Sequence, residues 1–155
     1  MHSYHKLDKY YEAIADFTRA IELKPDYLEA FYNRGTVYAK LERYDEALAD
    51  FNRALEITPN HHDTLINRGI AYAKLEKYDE ALADYNCALE LSPGDPNTLY
   101  NLACLFSLWG KVDEALDNLE KAIKGDEKYR EMAKTDKDFD NIREDSRFKK
   151  LIESD

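Results

Sequence analysis

The chain has 155 residues, of which 44% are apolar and 35% are charged, and its formal net charge is −10. This length corresponds to a single domain. The acidic charge argues against a nucleic-acid partner, because such partners are bound by neutralising phosphates with Lys and Arg. No apolar run approaches the roughly 18 residues that a membrane span needs, so no membrane contact is expected.

The start of the chain has no apolar signal-peptide core, which predicts a cytoplasmic protein. Cys87 and Cys104 are the only two cysteines, and their spacing is not that of metal ligands. A disulfide framework or a zinc site is therefore not expected, and reduced thiols fit an intracellular location.

An internal repeat of 34 residues organises most of the chain. Aligning Asn33–Asn60 with Asn67–Gly94 gives 20 identities in 28 positions. A third copy lies upstream, and a fourth, more divergent copy runs from about Pro96 to Lys124. We predict repeats at residues 1–26 (partial), 27–60, 61–94 and 95–125, followed by a C-terminal segment at residues 126–155.

Each repeat has the pattern of two helices. In Tyr27–Lys40 large apolar residues recur at helical spacing, which predicts a first helix, A. Gly35 lies inside it, and a glycine there costs about 1 kcal/mol relative to alanine. We therefore expect a close contact with the partner helix at Gly35. A short turn, Leu41–Tyr44, precedes the second helix, B, which ends before Pro59 because proline cannot continue the hydrogen-bond ladder.

These residues resemble the signature of the tetratricopeptide repeat. It is carried by Gly35, Tyr38, Ala47, Phe51, Ala54 and Pro59, and again by Gly69, Tyr72, Ala81, Tyr85, Ala88 and Pro93. The resemblance implies an all-α fold, a right-handed superhelical solenoid of antiparallel helix pairs, with the A helices lining a concave groove. It also implies a protein that binds other proteins. In the fourth copy Ala103, Phe106 and Leu119 replace the glycine, tyrosine and aromatic, as expected of a terminal, capping repeat.

The C-terminal segment has lost the repeat but keeps small apolar faces. Tyr129, Met132 and Ala133 predict a short helix, Phe139 and Ile142 a turn, and Phe148, Leu151 and Ile152 a last helix. We predict capping helices folded over the exposed end of the fourth repeat.

Motifs for catalysis, cofactors or metals are weak. Asp136, Asp138 and Asp140 have the alternating spacing that begins a calcium-binding loop, but Asn141 and Arg147 stand where that loop needs glycine and glutamate. The histidine pairs, His2 with His5 and His61 with His62, have no further ligand at suitable spacing. We therefore predict no enzyme, no cofactor and no metal site.

Three asparagines, Asn33, Asn67 and Asn101, lie 34 residues apart on successive A helices. They point to a different side from Gly35, which the resemblance identifies as the groove, and their amides are able to bind an extended peptide backbone. The alternative is that asparagine is simply common at this place in the family. The residues expected to flank the asparagines in the groove are Tyr32, Thr36, Lys40, Ile66, Ile70, Lys74, Tyr100, Cys104 and Leu108.

The sequence argues against one activity of the family, the binding of heat-shock chaperone tails. Members that hold the acidic tail of heat-shock chaperones use lysine, asparagine and arginine from successive A helices. Asn33 matches that asparagine, but Asp63 and Asn67 stand where a basic pair is needed, and Asn97 and Asn101 follow in the next helix.

The leading hypothesis is a scaffold that binds an extended segment of a protein partner of unknown identity. The rival is a structural or oligomerisation element. In the 34-residue register Met1 coincides with Gly35, so the first part of helix A is absent from the first repeat and its helix B is left partly uncovered. We predict that this N-terminal edge pairs with another copy of the chain.

Overall fold

The computed structural model describes the backbone of residues 2–153 and the side chains of residues 6–153. Within that range the chain folds into nine α-helices and one 3₁₀ helix, with no strand. The helices are α1 (His2–Leu23), α2 (Leu28–Lys40), α3 (Tyr44–Ile57), α4 (His62–Lys74), α5 (Tyr78–Leu91), α6 (Pro96–Leu108), α7 (Val112–Gly125), α8 (Lys128–Thr135) and α9 (Ser146–Ile152), with the 3₁₀ helix at Lys137–Ile142. The predicted all-α class is confirmed.

The chain divides into two compact units, Met1–Lys77 and Tyr78–Asp155. The first contains α1 to α4 and the second α5 to α9, so the two helices of the repeat predicted at 61–94 belong to different units.

In the first unit, α2 and α3 form an A–B pair around Gly35. A Cβ atom at Gly35 would lie 2.7 Å from Cε1 of Phe51, whose ring is fully buried. The predicted close contact is therefore confirmed: the glycine lets α2 approach an aromatic ring of α3. The turn between them places Glu42 at φ 60°, and Glu76 after α4 has φ 61°.

A half-buried ion pair also joins helices of this unit. Arg34 of α2 donates from Nε and Nη2 to the two carboxylate oxygens of Asp50 on α3, at 2.8 and 2.6 Å, and from Nη1 to the hydroxyl of Thr18 on α1. Asp50 is only 4% exposed. One guanidinium thus links α1, α2 and α3.

The first repeat differs from the expected helix pair. The turn aligned with Leu41–Tyr44 is absent, and α1 runs as one helix from His2 to Leu23. In later repeats a residue with positive φ forms this turn, a backbone state that costs a non-glycine residue about 1–2 kcal/mol. In α1 the segment aligned with this turn continues the helix instead.

One continuous core joins the elements from α6 to α9 in the second unit. Asp95 caps α6 by accepting from the backbone N–H of Thr98, and Pro96 occupies the first turn, as predicted. Ala103 and Leu119 are fully buried in the same core cluster, where Gly35 and Phe51 stand in the first unit. The turn after α6 places Gly110 at φ 81°.

The C-terminal segment folds onto α6 and α7, as predicted. Its buried residues belong to the same cluster as Leu99 and Leu116, and they are Tyr129, Ala133, Phe139, Ile142 and Phe148. Met132 is the exception, because it is 45% exposed and does not enter the core. The segment therefore completes the core of this unit.

Candidate functional site

A cavity of about 240 Å³ opens between α2, α3 and α4. Five of the groove residues named from the sequence line it, and they are Thr36, Lys40, Asn67, Ile70 and Lys74. Ala39 of α2 and two aromatic residues of α3, Tyr44 and Phe51, complete the lining. The cavity thus combines an apolar wall with an amide and two ammonium groups.

The two lysines stand at the last turns of their helices. Lys40 ends α2 and Lys74 ends α4, and both are exposed. Neither forms an ion pair with any residue from 6 to 153. None of the eight lining residues is acidic, so these cations are available to a ligand.

The side-chain amide of Asn67 already makes one hydrogen bond within the protein. Its Nδ2 donates to the hydroxyl oxygen of Tyr32 at 2.9 Å, across from α4 to α2. The Tyr32 ring also packs edge-on against the His61 ring, with centroids 5.5 Å apart. The amide of Asn67 retains its second N–H and its carbonyl oxygen for a ligand. Asn33, on α2, is exposed.

The phenol of Tyr32 is neutral at neutral pH, and burial reinforces this state. Desolvation of the ring raises the pKa of its phenol, and the nearby charge of Asp63 raises it further. The neutral hydroxyl therefore accepts from Asn67 while keeping its own O–H as a donor.

Ile66 is not available to a partner. The prediction from the sequence put it in the groove, but its side chain is only 5% exposed, because it faces the interior of the protein. That part of the interpretation is wrong.

Tyr100 and Cys104 are also covered, in this case by the C-terminal segment. They are 4% and 7% exposed, and the hydroxyl of Tyr100 donates to Oδ2 of Asp136 at 2.7 Å. The ring of Tyr100 stacks on Tyr129 at 4.8 Å and meets Phe139 edge-on at 5.6 Å. The expectation that they face an open groove is therefore corrected. Asn101, beside them, is half-buried.

Asp136 belongs to a cluster with Cys104 and Asp138, whose ligand-type atoms all lie within 4.8 Å of one another. The carboxylate of Asp136 already accepts from the Tyr100 hydroxyl and from the backbone N–H of Asp138, at 2.7 and 3.0 Å. It thereby caps the 3₁₀ helix. Both oxygens of this half-buried carboxylate therefore have hydrogen-bond donors within the protein.

The sequence interpretation missed the contribution of helix B to the site. Tyr44 and Phe51 were assigned to the turn and to the helix contact, yet both also form the wall of the cavity. Their recurrence as Tyr78 and Tyr85 one period later is equally well explained by core packing, so the 34-residue pattern alone carried no signal for this second role.

Family models of the tetratricopeptide repeat match residues 26–94 and 61–128, and a further model of the same repeat matches residues 2–42. The chain belongs to the tetratricopeptide repeat family. Proteins of this family are protein-interaction scaffolds and are typically non-enzymatic. A comparison with curated proteins gave no significant match.

Solved structures of the family share this fold. A crystal structure of MamA superposes with a TM-score of 0.78 at 14% identity, over 96% of this chain and 85% of that one. MamA from Desulfovibrio magneticus RS-1 gives 0.74 at 22% identity, over 92% and 84% of the two chains. A tetratricopeptide repeat protein from Parabacteroides merdae ATCC 43184 gives 0.75 at 25% identity, over 90% of this chain and 59% of that one. Across the part of the chain that the structure describes, no helix is both long enough and apolar enough to span a membrane.

Proposed function

We propose that this tetratricopeptide repeat protein performs no chemistry and captures a segment of a partner protein in the cavity between α2 and α4. The observation that carries the proposal is the lining of that cavity. Asn67 offers an amide, Lys40 and Lys74 offer charges, and Tyr44 and Ile70 offer apolar surface. A concave apolar site with a few placed polar groups is the usual form of a binding pocket.

The asparagines supply the second element of the proposal. Asn33 and Asn67 occupy the same register position on α2 and α4. The donors and acceptors that their amides retain suit the backbone of an extended segment. Each such hydrogen bond is worth about 0.5–1.5 kcal/mol, so replacing both asparagines with alanine should weaken a bound peptide about tenfold.

The test is to fill the cavity. Peptides selected from a random display library on the intact chain are titrated by fluorescence anisotropy against the Ala39→Phe variant, in which a phenyl group occupies the cavity. Ala49→Phe is the matched control, because Ala49 is an exposed alanine of α3 in the same unit. We expect Ala39→Phe to abolish binding and Ala49→Phe to leave it unchanged. Selected peptides that bind both variants equally well would contradict the proposal.

A second candidate function is self-association through α1. Among the described side chains of that helix none is buried, and Leu7 and Tyr11 are 38% and 52% exposed. Large exposed apolar side chains on one helix are a feature of interaction surfaces. Light scattering over a concentration series should then show a dimer that Leu7→Lys with Tyr11→Lys dissociates, and a particle that stays monomeric at millimolar concentration would exclude this function.

A further inference from the structure

A second cavity, of about 570 Å³, lies on the second unit and is lined by the end of α5 and by residues of α6 and α7. Its apolar lining comes from Leu89, Pro93 and Leu99, and the two leucines also pack in the core of this unit. A volume between about 300 and 1,000 Å³ is usual for a site that binds a small molecule. The cavity shares no lining residue with the one between α2 and α4, so it is a separate candidate site.

The internal repeat gives each residue of this cavity a counterpart in the first unit. The helices α6 and α7 begin and end two repeat periods after α2 and α3, so the two pairs of helices align without a gap. Leu99 on α6 therefore aligns with Phe31 on α2, and Lys121 on α7 aligns with Arg53 on α3. The residues at these positions in the first unit show what fills the same place there.

In the first unit that place is filled by an aromatic ring beside two cations. The side chain of Phe31 is only 8% exposed. The guanidinium carbon of Arg53 lies 5.7 Å from the centroid of its ring, and that of Arg34 lies 5.8 Å from it. A cation within about 6 Å of a ring centroid is attracted by the face of the ring. The first unit therefore closes this position with a ring and two guanidinium groups.

In the second unit aliphatic residues replace the ring and one of its cations. Leu99 stands at the position of Phe31, and Leu102 stands at the position of Arg34. Lys121, at the position of the other arginine, pairs with Asp117 one turn earlier on α7, with Nζ 3.1 Å from Oδ2. The cavity is therefore open at a position that an aromatic ring occupies in the first unit.

Two ammonium groups stand at the rim of the cavity. Lys121 and Lys124 are both exposed, and Glu90 is the one acidic residue in the lining. Nζ of Lys124 also lies 4.0 Å from Oε1 of Glu120. Exposed pairs of this kind are weak, and an ammonium group has three N–H donors, so both lysines can also bind a carboxylate. The lining has more positive than negative charge, which favours an anionic ligand.

We propose that this cavity binds a small aromatic carboxylate, whose ring lies on Leu89, Pro93 and Leu99 and whose carboxylate contacts Lys121 and Lys124. The ring of the ligand takes the position that a phenylalanine ring has in the first unit. Burial of that ring supplies most of the affinity, and the two ammonium groups select an acid over its neutral analogue. This site is independent of the capture of a peptide between α2 and α4.

The experiment titrates the intact, isotope-labelled chain with three probes and follows its amide signals by NMR. Naphthalene carboxylate has both the ring and the charge, naphthalene carboxamide has the ring alone, and acetate has the charge alone. Lys121→Gln combined with Lys124→Gln removes the two ammonium groups. Lys149→Gln combined with Lys150→Gln is the matched control, because it removes two exposed lysines from α9 of the same unit.

A second variant fills the cavity from within the protein. Leu99→Phe places a ring where the aligned position of α2 already accommodates Phe31. We expect it to weaken the binding of naphthalene carboxylate at least about tenfold, because the ring of the probe can no longer be buried. Circular dichroism and the melting temperature show whether the variant folds like its parent. The lysine variants change only exposed residues, so they test the site even if Leu99→Phe does not fold.

In the parent protein we expect naphthalene carboxylate to shift the signals of residues 89–99 and 121–125. It should bind about three- to tenfold more tightly than the carboxamide at low salt, since exposed ion pairs contribute modestly and are screened by salt. That preference should disappear in the Lys121→Gln, Lys124→Gln variant and persist in the α9 control. Acetate should give no saturable shift.

A folded Leu99→Phe protein that binds naphthalene carboxylate as tightly as its parent would overturn the inference. A preference for the carboxylate that survives in the Lys121→Gln, Lys124→Gln variant would do the same. So would shifts centred on the first unit, or no saturable binding at millimolar concentrations of the probe. These outcomes leave the proposed function untouched, because that function is tested at the other cavity with library peptides and Ala39→Phe.

Discussion

At the scale of single residues, Gly35 and Phe51 show that side-chain volumes are matched where α2 contacts α3. A Cβ at Gly35 would lie 2.7 Å from Cε1 and 2.9 Å from Cδ1 of the fully buried Phe51 ring, which is closer than van der Waals contact allows. We expect Gly35→Ala to lower the free energy of unfolding by about 1–3 kcal/mol, the usual cost of overpacking a core. Urea denaturation followed by circular dichroism measures this loss.

The fourth repeat supplies the compensating change. There Ala103 and Leu119 stand at the positions of Gly35 and Phe51, so an added methyl group accompanies a smaller side chain on helix B. Gly35→Ala combined with Phe51→Leu should therefore be more stable than Gly35→Ala alone. If the double variant were less stable by the sum of both single losses, the two positions would not be coupled.

The pair of Arg34 and Asp50 allows the cost of leaving a buried charge unpaired to be measured. Removing the guanidinium leaves a carboxylate that is 4% exposed without its two charge-assisted hydrogen bonds. We expect Arg34→Ala to cost about 3–5 kcal/mol of folding free energy. Arg53→Ala breaks an exposed pair with Glu56 and should cost at most about 1 kcal/mol. Comparable losses for the two variants in urea denaturation would contradict this assignment.

The sequence predicted some of these residues and not others, and the difference has a physical cause. The contact at Gly35 was predictable because a glycine inside a helix carries a cost that only a close neighbour explains. The burial of Tyr100 and Cys104 was not, since it depends on where the C-terminal segment docks, and that segment has no 34-residue register. Ile66 was placed in the groove by the geometry that the family resemblance implies, although its side chain is buried and that of Tyr32 is not.

At the scale of elements, the turns between helices A and B differ from the corresponding part of α1. The sequence predicted a turn there, but α1 is one continuous helix. Glu42, Glu76 and Gly110 all adopt positive φ, and two of them do so as glutamates. Packing of the paired helices offsets this strain in the later repeats. In α1 the aligned residue is Asp8, and the helix continues through it. Sequence similarity at a turn therefore does not by itself produce the turn.

The C-terminal segment depends on Phe139. Its ring is fully buried between Tyr100 and Phe148, with centroids 5.6 and 5.5 Å away. We expect Phe139→Ala to cost about 3–5 kcal/mol, to lower the melting temperature and to increase the binding of a hydrophobic dye, because the segment then releases the face of α6. Met132→Ala in the same segment is the control. Met132 is 45% exposed, so its loss should change none of these quantities appreciably. A Phe139→Ala protein as stable as its parent would show that the segment is not part of the core.

At the scale of the whole molecule, buried tyrosines should make the protein sensitive to alkaline pH. Burial raises the pKa of Tyr32, Tyr85 and Tyr100 above the usual value of 10.0. Their contribution to stability is fully present below pH 10 and is lost as the pH rises from there, because the unfolded state loses its protons first. The free energy of unfolding should therefore be insensitive to these groups below pH 10 and decline above it. In Tyr85→Phe, which restores the residue type of Phe51, the decline should be shallower, and an identical decline would contradict the assignment.

The distribution of buried residues also predicts how stability varies along the chain. The core of the second unit includes fully buried side chains from α6, α7, α8, α9 and the 3₁₀ helix, whereas none of the side chains described in α1 is buried. Isolated helices are marginally stable in water, so α1 depends on its contact with α2. Local opening should therefore cost least in α1 and most in α6 and α7.

Hydrogen exchange followed by mass spectrometry should show fast exchange in α1, intermediate exchange in α2 and α3, and the slowest exchange in α6 and α7. Arg34→Ala, which removes the link from α2 to Thr18, should accelerate α1 further without changing the rates in α6 and α7. Protection in α1 equal to that in α6 would mean that α1 is covered in solution, as self-association through Leu7 and Tyr11 requires, and dilution of the sample should then restore its fast exchange.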